Sequence, residues 1–143
     1  MPTGSCFCGH IRINYTGQPI TTGICHCKDC RKISGSLSIY SLVIQRADLQ
    51  LLSGQPKEVR KTADSGNQIR NYFCGECGTP LYGWRLQEDG TPHETVILRA
   101  GILDDEEFLE SHKPQAEIYT GSRLGWVAPA EGAVQVQGMV ALP

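Results

Sequence analysis

The sequence predicts a mainly β protein whose antiparallel sheets are pinned by zinc. Three observations carry that prediction. Short apolar or alternating runs are separated by glycine-containing turns, little of the chain shows helical periodicity, and seven cysteines fall in three tight clusters.

The elements follow in order. His10-Ile11-Arg12-Ile13-Asn14-Tyr15 alternates polar and apolar side chains, the period of a strand with one face buried. Leu37 to Ile44 and Thr95-Val96-Ile97-Leu98 are more continuously apolar and read as strands covered on both faces. Gln68 to Phe73 alternates in part. Turns are expected at Gly17-Gln18-Pro19, Ser53-Gly54-Gln55-Pro56, Asp64-Ser65-Gly66-Asn67 and Glu88-Asp89-Gly90-Thr91-Pro92. Helix is expected only near Asp29 and over Asp104 to Leu109, where acidic residues suit a helix N-terminus. In the tail from Ala128 to Pro143, Val134, Val136 and Met139 alternate as a last edge strand would. No low-complexity linker divides the chain, so residues 1–143 read as a single domain.

Composition excludes several classes. A chain of 143 residues with a formal charge of −2 has no global basic field and is not expected to bind nucleic acid. Leu37 to Ile44 and Val96 to Leu103 are too short to span a bilayer. Neither a charged nor an apolar leader segment follows Met1-Pro2-Thr3-Gly4, so a soluble, cytoplasmic protein with no membrane partner is expected. An odd cysteine count in such a chain argues against a disulfide framework.

The spacing of the cysteines points to metal. Cys6-Phe7-Cys8-Gly9 and Cys74-Gly75-Glu76-Cys77-Gly78 each end in a glycine that allows a left-handed turn, with backbone N–H groups directed at metal-bound sulfur. Two such knuckles make one closed site, with Cys6, Cys8, Cys74 and Cys77 on a structural zinc. Cys25, Cys27 and Cys30 remain, and three protein ligands leave a fourth position open, the usual form of a reactive zinc. Two Zn²⁺ per chain are therefore expected. His26 is the candidate fourth ligand of the triplet, but a run of three consecutive ligands would be strained, so its side chain is expected to turn away and hydrogen-bond the loop. His10, His93 and His112 stand as more distant alternatives. Lys28, Arg31 and Lys32 surround the triplet with charge that would offset its thiolates and favour an anionic substrate.

Together these residues resemble a known family. Gly4-Ser5-Cys6-x-Cys8-Gly9, Cys25-His26-Cys27-x-x-Cys30-Arg31-x-x-Ser34-Gly35, Phe73-Cys74-x-x-Cys77-Gly78-Thr79-Pro80-Leu81 and Ser122-Arg123-x-x-Trp126 are similar to the motifs of the glutathione-dependent formaldehyde-activating enzymes, a family that includes centromere protein V. The resemblance runs from about Gly4 to Trp126. It implies a β-tent fold like that of the zinc-containing Rab chaperones, a structural zinc on the four knuckle cysteines and a catalytic zinc on Cys25, Cys27 and Cys30. The implied reaction is a carbon–sulfur lyase reaction, in which the thiol of glutathione adds to formaldehyde, or is released from the adduct.

Thiol activation fits a three-thiolate zinc better than aldehyde polarisation, because thiolate donation makes such a zinc a poor Lewis acid. No obvious general base stands in the sequence; His26 is the nearest, and solvent can serve instead. Arg31 is a candidate for a glutathione carboxylate, and Trp126 reads as a core anchor. The alternatives are a lyase acting on another thiol or aldehyde, and a non-catalytic, zinc-stabilised binding module. A triplet closed by a protein ligand would favour the module.

Overall fold

A computed structural model describes residues 2–139. In chain order its strands are β1 (Thr3–Ser5), β2 (Arg12–Tyr15), β3 (Thr21–Cys25), β4 (Ile39–Gln45), β5 (Leu49–Ser53) and β6 (Lys57–Thr62), then β7 (Gln68–Phe73), β8 (Pro80–Arg85), β9 (Thr95–Arg99), β10 (Ala116–Ile118) and β11 (Val134–Gln135). Two short α-helices interrupt them, α1 (Lys28–Ser34) and α2 (Glu106–Ser111). The protein is mainly β, as the sequence predicts.

Strands β1, β2 and β5 form a small antiparallel sheet. The other eight make one large sheet in the order β11-β10-β3-β4-β9-β8-β7-β6. Its pairings are antiparallel except at one end, where β10 runs parallel to both β3 and β11. The core lies between the two sheets. Ile11, Ile13 and Tyr15 meet Leu42, Ile44, Val96 and Leu98, all at most 1% exposed. Alternation assigns the faces: the in-register pairs Leu42↔Leu98 and Ile44↔Val96 point into this core, so Ser41↔Arg99 and Val43↔Ile97 point to the opposite face. Val43 and Ser41 are buried as well, and β4 is covered on both faces, which is why its sequence reads as a continuous apolar run.

The helices form where the acidic residues stand. Asp105 caps α2, accepting from the Phe108 N–H at 2.9 Å, and the Phe108 ring then meets Tyr15 edge-on. The tail strand is shorter than its alternation suggests. Only Val134 and Gln135 are in β11, although Val136 continues the ladder through its N–H to the Glu117 carbonyl at 2.9 Å. The part of that expected strand beyond Met139 lies outside the described residues. Trp126 departs from its expected role: it is 76% exposed, on a turn closed by the Val127 N–H and the Leu124 carbonyl, so it anchors no core. Among the described residues, no helix is long and apolar enough to cross a membrane.

Candidate metal centre

The two knuckles meet at one end of the fold. Cys6 and Cys8 lie in the connection from β1 to β2, and Cys74 and Cys77 in the connection from β7 to β8. All four sulfurs lie within 4.8 Å of one another; Cys6 and Cys8 are 3.6 Å apart and Cys8 and Cys74 are 3.8 Å apart. A tetrahedron with metal–sulfur bonds of ~2.3 Å has edges of about 3.8 Å, so this cage has the size of a zinc site. A disulfide would bring two sulfurs to about 2.05 Å, and the seven cysteines are free thiols.

Both turns have the geometry that their glycines permit. Gly9 and Gly78 adopt φ of 80° and 83°, and their N–H groups donate to the Cys6 and Cys74 carbonyls at 3.0 and 2.8 Å. The N–H groups of Ile11 and Glu76 then donate to the sulfurs of Cys6 and Cys74 at 3.2 and 3.4 Å. Thr79 joins the knuckles: its hydroxyl accepts from the Phe7 N–H at 3.0 Å and lies 3.2 Å from the Cys77 sulfur. That hydroxyl, with the Thr79 N–H, holds the Cys77 thiol down to about 5. Cys8 is the reverse case. A backbone hydrogen bond at His10 lowers its thiol, but burial and the neighbouring thiols Cys6, Cys77 and Cys74 push it up to about 12.

The second cluster is built at the junction of β3 and α1. Cys25 ends β3, Cys27 is the N-cap of α1 and accepts from the Cys30 N–H at 3.3 Å, and Cys30 sits in the first turn. Their sulfurs also lie within 4.8 Å of one another, and all three residues are half-buried. Hydrogen bonds from Cys25 and Cys30 hold the Cys27 thiol down to about 2. The hydrogen bond with Cys27 pushes Cys25 up to about 11, and those with Cys25 and Cys27 push Cys30 up. Three thiols this close concentrate negative charge as they ionise, an arrangement that suits a cation.

His26 turns away from the triplet. Its Nε2 lies 2.7 Å from Glu117 Oε1, its backbone N–H donates to the Ile118 carbonyl at 3.1 Å, and it is 2% exposed. Among the described residues no histidine or carboxylate joins the three sulfurs. His93 is engaged with Arg85 and Thr95, and His112 stacks on Phe108.

Glu117 is a buried partner of the triplet loop that sequence reasoning missed, although a lone charge between Ala116 and Ile118 in a strand signals it. Its other oxygen accepts from the Ala130 N–H and from Gln135 Nε2, each at 2.7 Å, with Arg123 Nη1 at 3.6 Å. One carboxylate thereby ties the triplet loop to the C-terminal segment. Burial alone would raise its pKa, but the hydrogen bonds from Gln135, His26 and Ala130 hold it below the usual 4.5. A depressed carboxylate stabilises the fold above its unfolded pKa, and that contribution is lost as pH falls from about 4.5 through the folded value. Glu117→Gln is therefore expected to cost about 3 kcal/mol at pH 7, the scale of a broken buried network, and less in acid. Urea melts at pH 7 and pH 4 check this, and an equal cost at both would remove the charge from the explanation.

The cations expected around the triplet divide. Lys28 and Lys32 are exposed; Arg31 is half-buried, and its Nε has no hydrogen-bond partner among the described residues. Asp29, within α1, pairs with Lys61 of β6. Tyr119 stands beside the triplet at φ 54°, unlike any other non-glycine among the described residues. Its phenol is raised by burial and then by the charges of Cys25, Cys27 and Cys30. Backbone strain of this kind collects at functional sites. Two surface clefts, one bounded by Gln18 and His112 and one by Asn67 and His93, are lined by no cysteine.

A family model described as glutathione-dependent formaldehyde-activating enzyme matches residues 1–122. The chain belongs to that family. The glutathione-dependent formaldehyde-activating proteins are an enzyme family, and glutathione and formaldehyde are the small-molecule partners implied by membership. All seven cysteines lie within the matched residues; Arg123 and Trp126 lie just beyond them. No match is found among curated proteins. A crystal structure of a Rhodobacter sphaeroides protein, a structural genomics target, is similar with a TM-score of 0.51 and 17% identity, covering 94% of this chain and 98% of that one. That likeness shows a shared fold.

Proposed function

We propose that this glutathione-dependent formaldehyde-activating family member is a zinc-dependent carbon–sulfur lyase, with Cys6, Cys8, Cys74 and Cys77 on a structural zinc and Cys25, Cys27 and Cys30 on a catalytic one. One observation carries the reading. Four sulfurs close the first cage, whereas the second has three sulfurs and its only adjacent histidine is turned into the protein and bound to Glu117. The soft sulfur donors and their separations fit zinc at both clusters. A zinc ion held by the triplet would supply a fourth position for the substrate thiol and lower that thiol's pKa.

The chain's own residues set the rest. Cys27 as N-cap and Cys30 one turn on hold two sulfurs rigidly against Cys25 at the end of β3, and the His26–Glu117 contact fixes the loop between them. The substrate thiol gives its proton to solvent, its sulfur forms a bond to the aldehyde carbon, the carbonyl π pair moves to oxygen, and that oxygen takes a proton from water. In the lyase direction the same bond breaks and the proton returns to solvent. His26 is 2% exposed and its Nε2 is held by Glu117, so it is not placed to exchange that proton with substrate. A non-catalytic module would have every reason to close the triplet with a protein ligand, and this loop directs its histidine elsewhere.

Cobalt substitution tests the proposal. Glutathione added to the cobalt-loaded protein is expected to intensify the sulfur-to-metal charge-transfer band, as a fourth thiolate joins three. An unchanged spectrum at millimolar glutathione would reject thiol activation at this site.

A further inference from the structure

Three strands of the large sheet converge on one cation beside the triplet. Arg99 ends β9 opposite Ser41 of β4, and Ser41 in turn is opposite Gly23 of β3, two residues before Cys25. Residues two apart on a strand share a face, so Arg99, Ser41 and Cys25 project to the same side, away from the core. Asn71 of β7 shares that side, across Gly83 of β8 and Ile97 of β9.

The guanidinium is held in place. Its Nη1 donates to Ser41 Oγ at 3.3 Å and its Nη2 to Asn71 Oδ1 at 2.9 Å. Gly83 makes this reach available: a Cβ there would collide with Asn71 Oδ1 and lie 2.8 Å from the Arg70 carbonyl. Arg99 is half-buried and forms no ion pair among the described residues. Two of its five N–H donors are used, both by neutral acceptors, so three remain for an anion.

We infer that Arg99, oriented by Asn71 and Ser41, is a specificity-determining residue that takes a carboxylate of the thiol substrate bound at Cys25, Cys27 and Cys30. This rests on the thiol-binding function proposed above. The register sets Arg99 two strands from β3, on the face that carries Cys25. A guanidinium with three donors unused is suited to a carboxylate, and glutathione carries two. The alternative is that Arg99 only balances the charge of three thiolates. The two roles separate cleanly, because charge balance makes no distinction among thiols.

The experiment titrates the cobalt-loaded full-length protein with glutathione, glutathione diethyl ester and 2-mercaptoethanol, reading the charge-transfer band and, separately, cobalt affinity. The unaltered protein is expected to bind glutathione about 10- to 100-fold more tightly than its diester, the range of a hydrogen-bonded charge. Arg99→Gln is expected to remove that advantage and leave the diester and 2-mercaptoethanol unchanged; Arg99→Lys, which keeps the charge but not the fork, is expected to retain part of it. Equal affinity for glutathione and diester in the unaltered protein overturns the assignment without needing any variant to fold. A uniform loss for all three thiols in Arg99→Gln, with weaker cobalt binding, also overturns it, in favour of charge balance. If no thiol alters the spectrum, the proposed function fails and the assignment falls with it; failure of the diester comparison alone removes only Arg99.

Discussion

Cys74→Ser is expected to unfold the protein or drive it out of solution, whereas Cys27→Ser is expected to leave a folded chain that retains one tightly held metal ion. Cys74 is fully buried and packs in the core with Leu81 and Tyr82. With Cys77 it joins the turn between β7 and β8 of the large sheet to the turn between β1 and β2 of the small one. A metal there would close a loop across 66 residues, from Cys8 to Cys74. Binding at such a structural site contributes ~10 kcal/mol or more to folding, against a whole-domain stability of about 5–15 kcal/mol, so its loss is comparable with everything that holds the fold together. The triplet closes only a short local loop, and its three residues are half-buried. Native mass spectrometry and thermal melts of the two variants check the contrast. Equal destabilisation would make the triplet structural too.

What was legible in the sequence is what short-range pattern encodes. Leu42, Ile44, Val96 and Leu98 pair in register because both runs are apolar and β-branched or leucine-rich, and each is recognisable alone. The cysteine clusters are equally local, since spacing and a following glycine define each. By contrast β6, Lys57 to Thr62, is exposed at every residue and carries four charges, as an unpaired sheet edge should; no apolar alternation marks it. The parallel pairings of β10 were hidden for another reason. Glu117 opposes Ile24 only because the chain crosses back after α2, and no local signal records that return. Arg99 and Glu117, the groups that give the triplet its surroundings, are single charges in apolar strands. Their importance comes from partners 28 and 91 residues away, Asn71 and His26, which only the fold brings together.

In the zinc-loaded protein, consumption of formaldehyde in the presence of glutathione is expected to be nearly flat with pH between about 6 and 8, where the spontaneous reaction rises tenfold per unit. A free cysteine-type thiol with pKa ≈ 8.5 is only about 3% thiolate at pH 7, so its rate follows ionisation. A thiol held as thiolate throughout that range no longer does. Ionisation alone then gives about 30-fold over the spontaneous reaction at pH 7 and about 300-fold at pH 6. Part of this is offset, since a thiol of lowered pKa is a weaker nucleophile, and positioning of the aldehyde works in the other direction. The sign is what discriminates: the advantage must grow as pH falls, until protons displace the metal from its sulfurs. Cys30→Ala leaves two sulfurs at the triplet and should return both the rate and the tenfold slope of the spontaneous reaction, while the closed site at Cys6, Cys8, Cys74 and Cys77 keeps its metal. Rates measured across this range in both proteins decide the matter. A flat, accelerated profile in Cys30→Ala would move the chemistry away from these three sulfurs, and a slope of one in the unaltered protein would mean that the thiol reacts from solution.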